Sequence, residues 1–312
     1  MSWQMRVLNA ISRSVVKPAV KKASAQATVG EEYATIQKLR GWVANMDAFL
    51  TRRDTAPSVA VEPVADHPDY LWVNNEAGVR RTILYLHGGG MVVHVPGLYT
   101  QWAQRLAAAT DARVLLIDYR LAPEHPYPAS NEDCLEAYRW LLEDQGAASE
   151  RLVIAGDSAG GYLTLTTLLR IQEAGLARPA CAIAFSPLAD FSLGSDSIFR
   201  NESADPLLSN RLLPLVRKLV LGGHAATDPL VSPVYADLRN FPPLQVHVSS
   251  NEIIRDDGLR IAQRAQAQGV ISEMYHWHKT THVHPLFKQL PESQWAMEKV
   301  VRFIDRYAAP VA

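Results

Sequence analysis

Gly156-Asp157-Ser158-Ala159-Gly160, with Gly161 behind it, fits the pattern G-x-S-x-G. An apolar run, Leu152–Ala155, leads into it, and a helical pattern, Gly161–Ala174, leads out. On a sharp strand-to-helix turn a serine hydroxyl is lifted above the sheet, and flanking glycines let the turn close. Such a serine could attack a carbonyl carbon. A phosphate-binding P-loop is also glycine-rich, but the Gly-Lys-Ser/Thr tail it needs is missing here. A second glycine run, His87-Gly88-Gly89-Gly90, follows the apolar strand Thr82–Leu86. Acyl transfer needs N–H donors aimed at a developing oxyanion, and side chains there would block the carbonyl. A glycine run at a strand end provides such a loop, and Ala159 N–H, next to the serine, supplies a further donor. A dinucleotide loop, G-x-G-x-x-G, fails because Val93 stands where its last glycine belongs.

A serine hydroxyl needs a base, and ten histidines compete for that role. In this strand-turn-helix architecture the chain order is Ser, acid, His. His67, His87, His94 and His125 precede Ser158. His224 falls in an irregular stretch, His247 within a strand, and His276 and His278 on one face of the last strand. His282 lies in the loop past that strand, with His284 as its near rival. The two histidine pairs could suggest a metal, but no clear acidic or cysteine partners flank them, so none is expected. The acid belongs just after the strand Leu244–Val248, which leaves Glu252, Asp256 and Asp257. Glu252 is nearest the strand end. The other two stand where a helix starts and acids complement its dipole. Asp205-Pro-Leu lies in an insertion, and Asp228-Pro-Leu precedes the strand.

The elements that must hold these groups follow from periodicity. Short β-rich runs occur at Val59–Val64, Tyr70–Asn74, Thr82–Leu86, Arg113–Tyr119, Leu152–Ala155, Cys181–Phe185, Leu244–Val248 and Met274–Trp277. After the third, helical patterns at Tyr99–Ala109, Asn131–Asp144, Gly161–Ala174 and Leu259–Gln268 separate most of them. Alternation of this kind predicts an α/β protein with a mostly parallel sheet covered on both faces. Between Asp190 and Pro243 it breaks, with a helical segment near Leu207–Leu221, so an inserted helical element is expected there. Met5, Leu8, Ile11 and Val15 recur at helical spacing until Pro18, which should end or kink that helix; Ile36, Leu39, Val43, Met46 and Leu50 repeat the pattern. A basic amphipathic helix of this kind could lie on a membrane, but packing on its own protein is the commoner outcome. Thr51–Pro57 is polar and predicts a connector.

Composition closes off other classes. With 312 residues, 48% hydrophobic and 20% charged, the chain should form a packed globule, either one large domain with an appendage or two small ones. Lys+Arg minus Asp+Glu is 31 − 32 = −1, without blocks of like charge, so a nucleic-acid partner is not expected. Cys134 and Cys181 cannot form a disulfide framework and should be buried thiols. Nothing approaches the 18 to 20 apolar residues of a membrane span, and the basic residues of Met1–Ser24 are spread rather than grouped as in a secretory signal. A cytoplasmic protein with no stable membrane insertion is expected.

Together the motifs resemble the bacterial hormone-sensitive-lipase-like esterases of the α/β-hydrolase superfamily. The likeness covers the chain from about Ser58. It runs through His87–Gly90, Tyr119-Arg-Leu-Ala-Pro-Glu-His-Pro-Tyr-Pro-Ala129 and Gly156–Gly161, then Asp228-Pro-Leu-Val-Ser-Pro233, Leu238–Pro243 and Asn251-Glu-Ile-Ile-Arg-Asp-Asp-Gly258. The opening Met-Ser-Trp-Gln is also similar to members described as acyl-ester or terpene-lactone hydrolases. The resemblance implies an eight-stranded α/β-hydrolase sheet with a helical cap from residues 1–50 and 190–225, on a core of 51–189 and 226–312. It implies a cofactor-free carboxylesterase for short-to-medium acyl esters, with a small-molecule ester as partner and a homodimer left open. Ser158 would be the nucleophile, His282 the base and Glu252 the acid. The oxyanion loop would be Gly88, Gly89 and Gly90 with Ala159, Gly88 forming the turn; His87 would brace the loop and Asp157 the elbow. The sequence departs from the family where Glu252-Ile253-Ile254 replaces Asp-Pro-Leu, and where His94 replaces a glycine and is expected to narrow the entrance. Two alternatives share this frame. One is a lactone hydrolase with the same triad; the other is a non-catalytic ligand-binding relative, against which the presence of both Ser158 and His282 argues.

Overall fold

The structure, a computed structural model, describes residues 1–26, 32–52, 59–76, 78–79 and 81–308. The connector expected at Thr51–Pro57 lies outside these from residue 53 onward. Eight strands form one sheet: β1 Val61–Val64, β2 His67–Val73, β3 Arg81–Leu86, β4 Ala112–Ile117, β5 Leu152–Asp157, β6 Cys181–Phe185, β7 Leu244–Ser249 and β8 Ser272–Trp277. Their order is β1-β2-β4-β3-β5-β6-β7-β8. The β1–β2 and β2–β4 pairs are antiparallel and the rest are parallel, so the mostly parallel sheet is as expected.

Every residue of β3, β5, β6 and β7 is buried, which is why β3, β5 and β6 carry the apolar runs Ile83–Leu86, Leu152–Ala155 and Cys181–Phe185, whereas β7 alternates, with Gln245, His247 and Ser249 buried between its aliphatic residues. Alternate residues serve opposite faces. Ile83 and Tyr85 of β3 join Trp102, Leu106, Val300 and Phe303 on one side, while Leu84 and Leu86 join Tyr138, Leu163 and Ile261 on the other. The helices supplying these layers include α4 (Pro96–Thr110), α5 (Ala129–Glu143), α6 (Ala159–Glu173), α9 (Arg255–Ala267) and α10 (Pro291–Tyr307), numbered in chain order with those below. Helix α10 has no counterpart in the expected elements, although its buried Ala296, Val300, Phe303 and Ile304 keep three-to-four spacing. Cys134 and Cys181 are both buried and free.

The remaining helices lie at the two places where the alternation of strand and helix is broken. At the N-terminus, α1 (Trp3–Ile11), a π-helical turn (Ser12–Val16) and α2 (Lys17–Gln26) are continuous, followed by α3 (Glu32–Thr51). Pro18 therefore does not end the helix. The wider π turn, in which Lys17 N–H reaches Ser12 carbonyl five residues back, precedes it and relieves the clash a proline ring makes in a regular α-turn. Between β6 and β7 lie α7 (Ser197–Arg200) and α8 (Leu212–Leu221), the inserted helical element. Among the described residues no helix is long and apolar enough to cross a membrane.

Candidate active site

The turn between β5 and α6 puts Ser158 at φ 55°, ψ −116°, a backbone state that costs a non-glycine residue on the order of 1–3 kcal/mol. Packing on both sides imposes it. Ser158 N–H donates to Phe185 carbonyl at 2.8 Å, and Leu188 N–H donates to Ser158 carbonyl at 3.2 Å. Helix α6 can start this close to β3 only because residue 160 lacks a side chain: a Cβ on Gly160 would lie 1.8 Å from Leu86 carbonyl oxygen.

The loop after β8 delivers His282 to this serine. His282 Nε2 lies 2.9 Å from Ser158 Oγ, and its Nδ1 lies 3.2 Å from Glu252 Oε1. Glu252 follows β7 and is fully buried; Oε1 also accepts the Ser186 hydroxyl at 2.5 Å, and Oε2 accepts Ser249 N–H at 2.9 Å. A carboxylate fixed in this way accepts a hydrogen bond from Nδ1–H of the imidazole and leaves the Nε2 lone pair facing the serine. Burial by itself would lower the His282 pKa. The Glu252 hydrogen bond and charge, helped by the charges of Asp205 and Asp157, outweigh it and raise the pKa above its ordinary value.

The glycine loop after β3 turns beside the same serine. Gly89 has φ +113°, and a Cβ there would lie 2.1 Å from Val93 carbonyl oxygen. Gly89, Gly90 and Ala159 border the cavity above Ser158, and their N–H groups have no protein acceptor among the described residues. Gly88, expected to form the turn of this loop, differs from them: its N–H is already donated to Tyr99 Oη at 2.8 Å and Asp157 Oδ1 at 3.2 Å, so it is not a spare donor. Asp157 gathers the loop and the elbow, accepting the Tyr85 hydroxyl at Oδ1 and the Tyr99 hydroxyl at Oδ2, each at 2.9 Å. Burial pushes its carboxyl up to about 6 against those hydrogen bonds. His87 Nδ1 lies 2.6 Å from Gly88 carbonyl, and its ring is stacked between His94 and Tyr119, 4.2 Å from each.

The other candidates are occupied elsewhere. Asp256 accepts Ser197 N–H at 2.9 Å and pairs with Arg255, while Asp257 accepts Ala189 and Asp190 N–H and the Ser195 hydroxyl. Both tie the inserted segment to the start of α9. Asp205, set aside with the insertion, is fully buried, and its Oδ2 accepts Ile253 N–H, one residue past Glu252. His284 is buried against Trp277, and burial brings it down to about 3. Tyr85, Tyr99, Ser186 and Asp205 are the supporting residues the sequence reading did not find; no spacing relates them to the residues they hold.

His94 is not part of the cavity wall, so it does not narrow the entrance. It lies behind the glycine loop with Nδ1 2.9 Å from Asp118 Oδ1. His87, His94 and Asp118 do bring one donor atom each to within 4.8 Å of the others. The two imidazoles, however, stack at 18°, so their in-plane lone pairs run side by side instead of converging on one ion. The arrangement does not fit a resident cation.

Above Ser158 and His282 the cavity has a volume of about 240 Å³. Its walls are apolar: Val16, Val20, Trp42 and Met46 from the N-terminal helices face Leu208, Leu212 and Val216 of the insertion. A nucleophile on a hydrogen-bonded histidine, a buried carboxylate behind it and spare N–H donors beside it can together perform acyl transfer.

Comparison with known proteins points the same way. Residues 83–286 match the family model for the alpha/beta hydrolase fold. An acetyl-hydrolase of Streptomyces hygroscopicus is 36% identical over 75% of this chain and 78% of its own length. A crystal structure of EstE5 soaked with ethyl alcohol superposes with a TM-score of 0.88 at 33% identity, covering 99% of this chain and all of that one. A crystal structure of an esterase from the bacterial hormone-sensitive lipase family gives a TM-score of 0.81 at 31% identity, covering 94% of this chain and 99% of that one.

Proposed function

Because the chain belongs to the hormone-sensitive-lipase-like esterases of the α/β-hydrolase fold, and is a carboxylic ester hydrolase, we propose that it works through a Ser158–His282–Glu252 triad and an acyl-enzyme. The observation that carries this reading is the unbroken chain of contacts from Ser158 Oγ through both imidazole nitrogens to Glu252. Ser158 Oγ attacks the ester carbonyl as its proton passes to His282 Nε2. The oxyanion that forms is held by the N–H groups of Gly89, Gly90 and Ala159. His282 then gives its proton to the leaving alcohol, and the acyl group stays on Ser158. A water deprotonated by His282 attacks that acyl-enzyme; the bond from carbonyl carbon to Ser158 Oγ then breaks, His282 returns the proton to Oγ, and the acid leaves.

Residues 1–50 and 190–225 act as the cap. Their apolar side chains enclose a space below the roughly 300–1,000 Å³ of drug-sized sites, which supports short-to-medium acyl groups. The same triad opens lactones, and a panel of acyl esters, lactones and anilides separates these substrates. Ser158→Ala should abolish turnover with an unchanged circular dichroism spectrum, and a serine-directed phosphonate should add its mass at Ser158 alone. Full activity of the variant, or labelling at another residue, would refute the assignment.

A further inference from the structure

Within the first thirty residues stand Arg6, Arg13, Lys17, Lys21 and Lys22, and no acidic residue. Lys17 is buried and Lys21 is partly exposed, and both pair with Glu202. Arg6, Arg13 and Lys22 remain exposed, although Arg13 also touches Ala204 carbonyl. Between them runs an apolar stripe at four-residue steps: Trp3, Val7, Ile11 and Val15 are 70%, 49%, 53% and 57% exposed. Side chains four apart on a helix are neighbours, so the stripe is continuous for about 18 Å. The opposite side of this helical segment is buried at Met5, and Val16 and Val20 reach the cavity above Ser158.

A continuous apolar stripe facing water marks a docking surface. The charge around it selects the occupant. A second copy docked through a two-fold axis would set this basic border against itself, which opposes that pairing. An anionic lipid surface satisfies both parts: the stripe enters the boundary between headgroups and acyl chains while the arginines and the lysine meet lipid phosphates. We propose that the α1 face docks the protein onto anionic membranes, with the helix lying flat in the interface. The cavity wall is then part of the element that meets the lipid, although docking itself does not depend on how the ester is cleaved.

Co-sedimentation with vesicles tests this directly. The protein should bind phosphatidylcholine vesicles containing phosphatidylglycerol on the order of 100-fold more tightly than phosphatidylcholine alone, at about fivefold for each exposed basic residue. Binding should weaken as salt rises. Ile11→Glu with Val15→Glu should remove binding while turnover of a water-soluble monomeric ester stays at the wild-type rate. Arg6→Gln with Arg13→Gln should reduce only the preference for anionic lipid. Failure to bind anionic vesicles at low salt would overturn the proposal, as would undiminished binding by the Ile11/Val15 variant. A dimer in sedimentation velocity that this variant dissolves would assign the stripe to a second copy instead.

Discussion

Glu252 has partners on both oxygens: His282 and the Ser186 hydroxyl at Oε1, and Ser249 N–H at Oε2. Glu252→Gln puts an NH₂ donor where an acceptor is required, so the imidazole loses its tautomer or its orientation. Disabling the acid of a serine-protease triad costs on the order of 10⁴-fold in kcat. We expect a loss of several decades for Glu252→Gln. For Asp256→Asn, which disturbs only Ser197 N–H and Arg255, less than about tenfold is expected. Initial rates on one ester decide between them, and the reverse order would move the acid to Asp256. The pH profile adds a check. His282 must be neutral to act as a base, so the acid limb of kcat/KM should lie above the ordinary 6.5, activity rising with pH. In Glu252→Gln that limb should move to lower pH, because the hydrogen bond and charge that raise the His282 pKa are gone.

The N-terminal helices are joined to the rest of the site by more than apolar contact. From α3, Arg40 donates to Val92 carbonyl at 2.7 Å and Ala122 carbonyl at 2.8 Å, and pairs with Glu124. Deleting residues 1–50 should therefore open one wall of the cavity, shift the acyl chain-length preference and leave apolar surface that aggregates. Hydrolysis of p-nitrophenyl esters of increasing length, with light scattering, measures both. A soluble truncation with an unchanged profile would remove the cap role. Strands β3, β5 and β6 were legible in the sequence because burial on both faces fills them largely with apolar residues, and the serine turn because its glycines are required by contact with β3. Helix continuity through Pro18 was not legible, since it depends on a π turn no residue type announces. Nor was the engagement of Gly88 N–H, whose acceptors Tyr99 and Asp157 lie 11 and 69 residues along the chain.

For the folded molecule, His282 and His284 pull in opposite directions although only Val283 separates them. His284 is buried with Nε2 unpartnered and is held at about 3, so below pH 6.5 the unfolded chain takes up a proton there that the folded one refuses. Its contribution to stability is thus lost as pH falls from 6.5 toward 3. Urea unfolding at several pH values should show the slope of stability against pH flattened in His284→Asn by about 1.4 kcal/mol per pH unit between those limits, relative to wild type. Parallel slopes would show that His284 ionises alike in both states. The sheet has a further consequence. Leu86 of β3 stands opposite Gly156 of β5, so the glycine loop and the serine turn leave the sheet at the same height. The distance between the proposed nucleophile and the proposed oxyanion donors is therefore counted in whole residues. A slip by one would offset them by about 3.3 Å and turn every side chain of the strand to the wrong face. No graded form of that error exists. Each molecule is either in register and fully competent or out of register and silent, so damage at this ladder lowers the number of working molecules and leaves the rate of each unchanged.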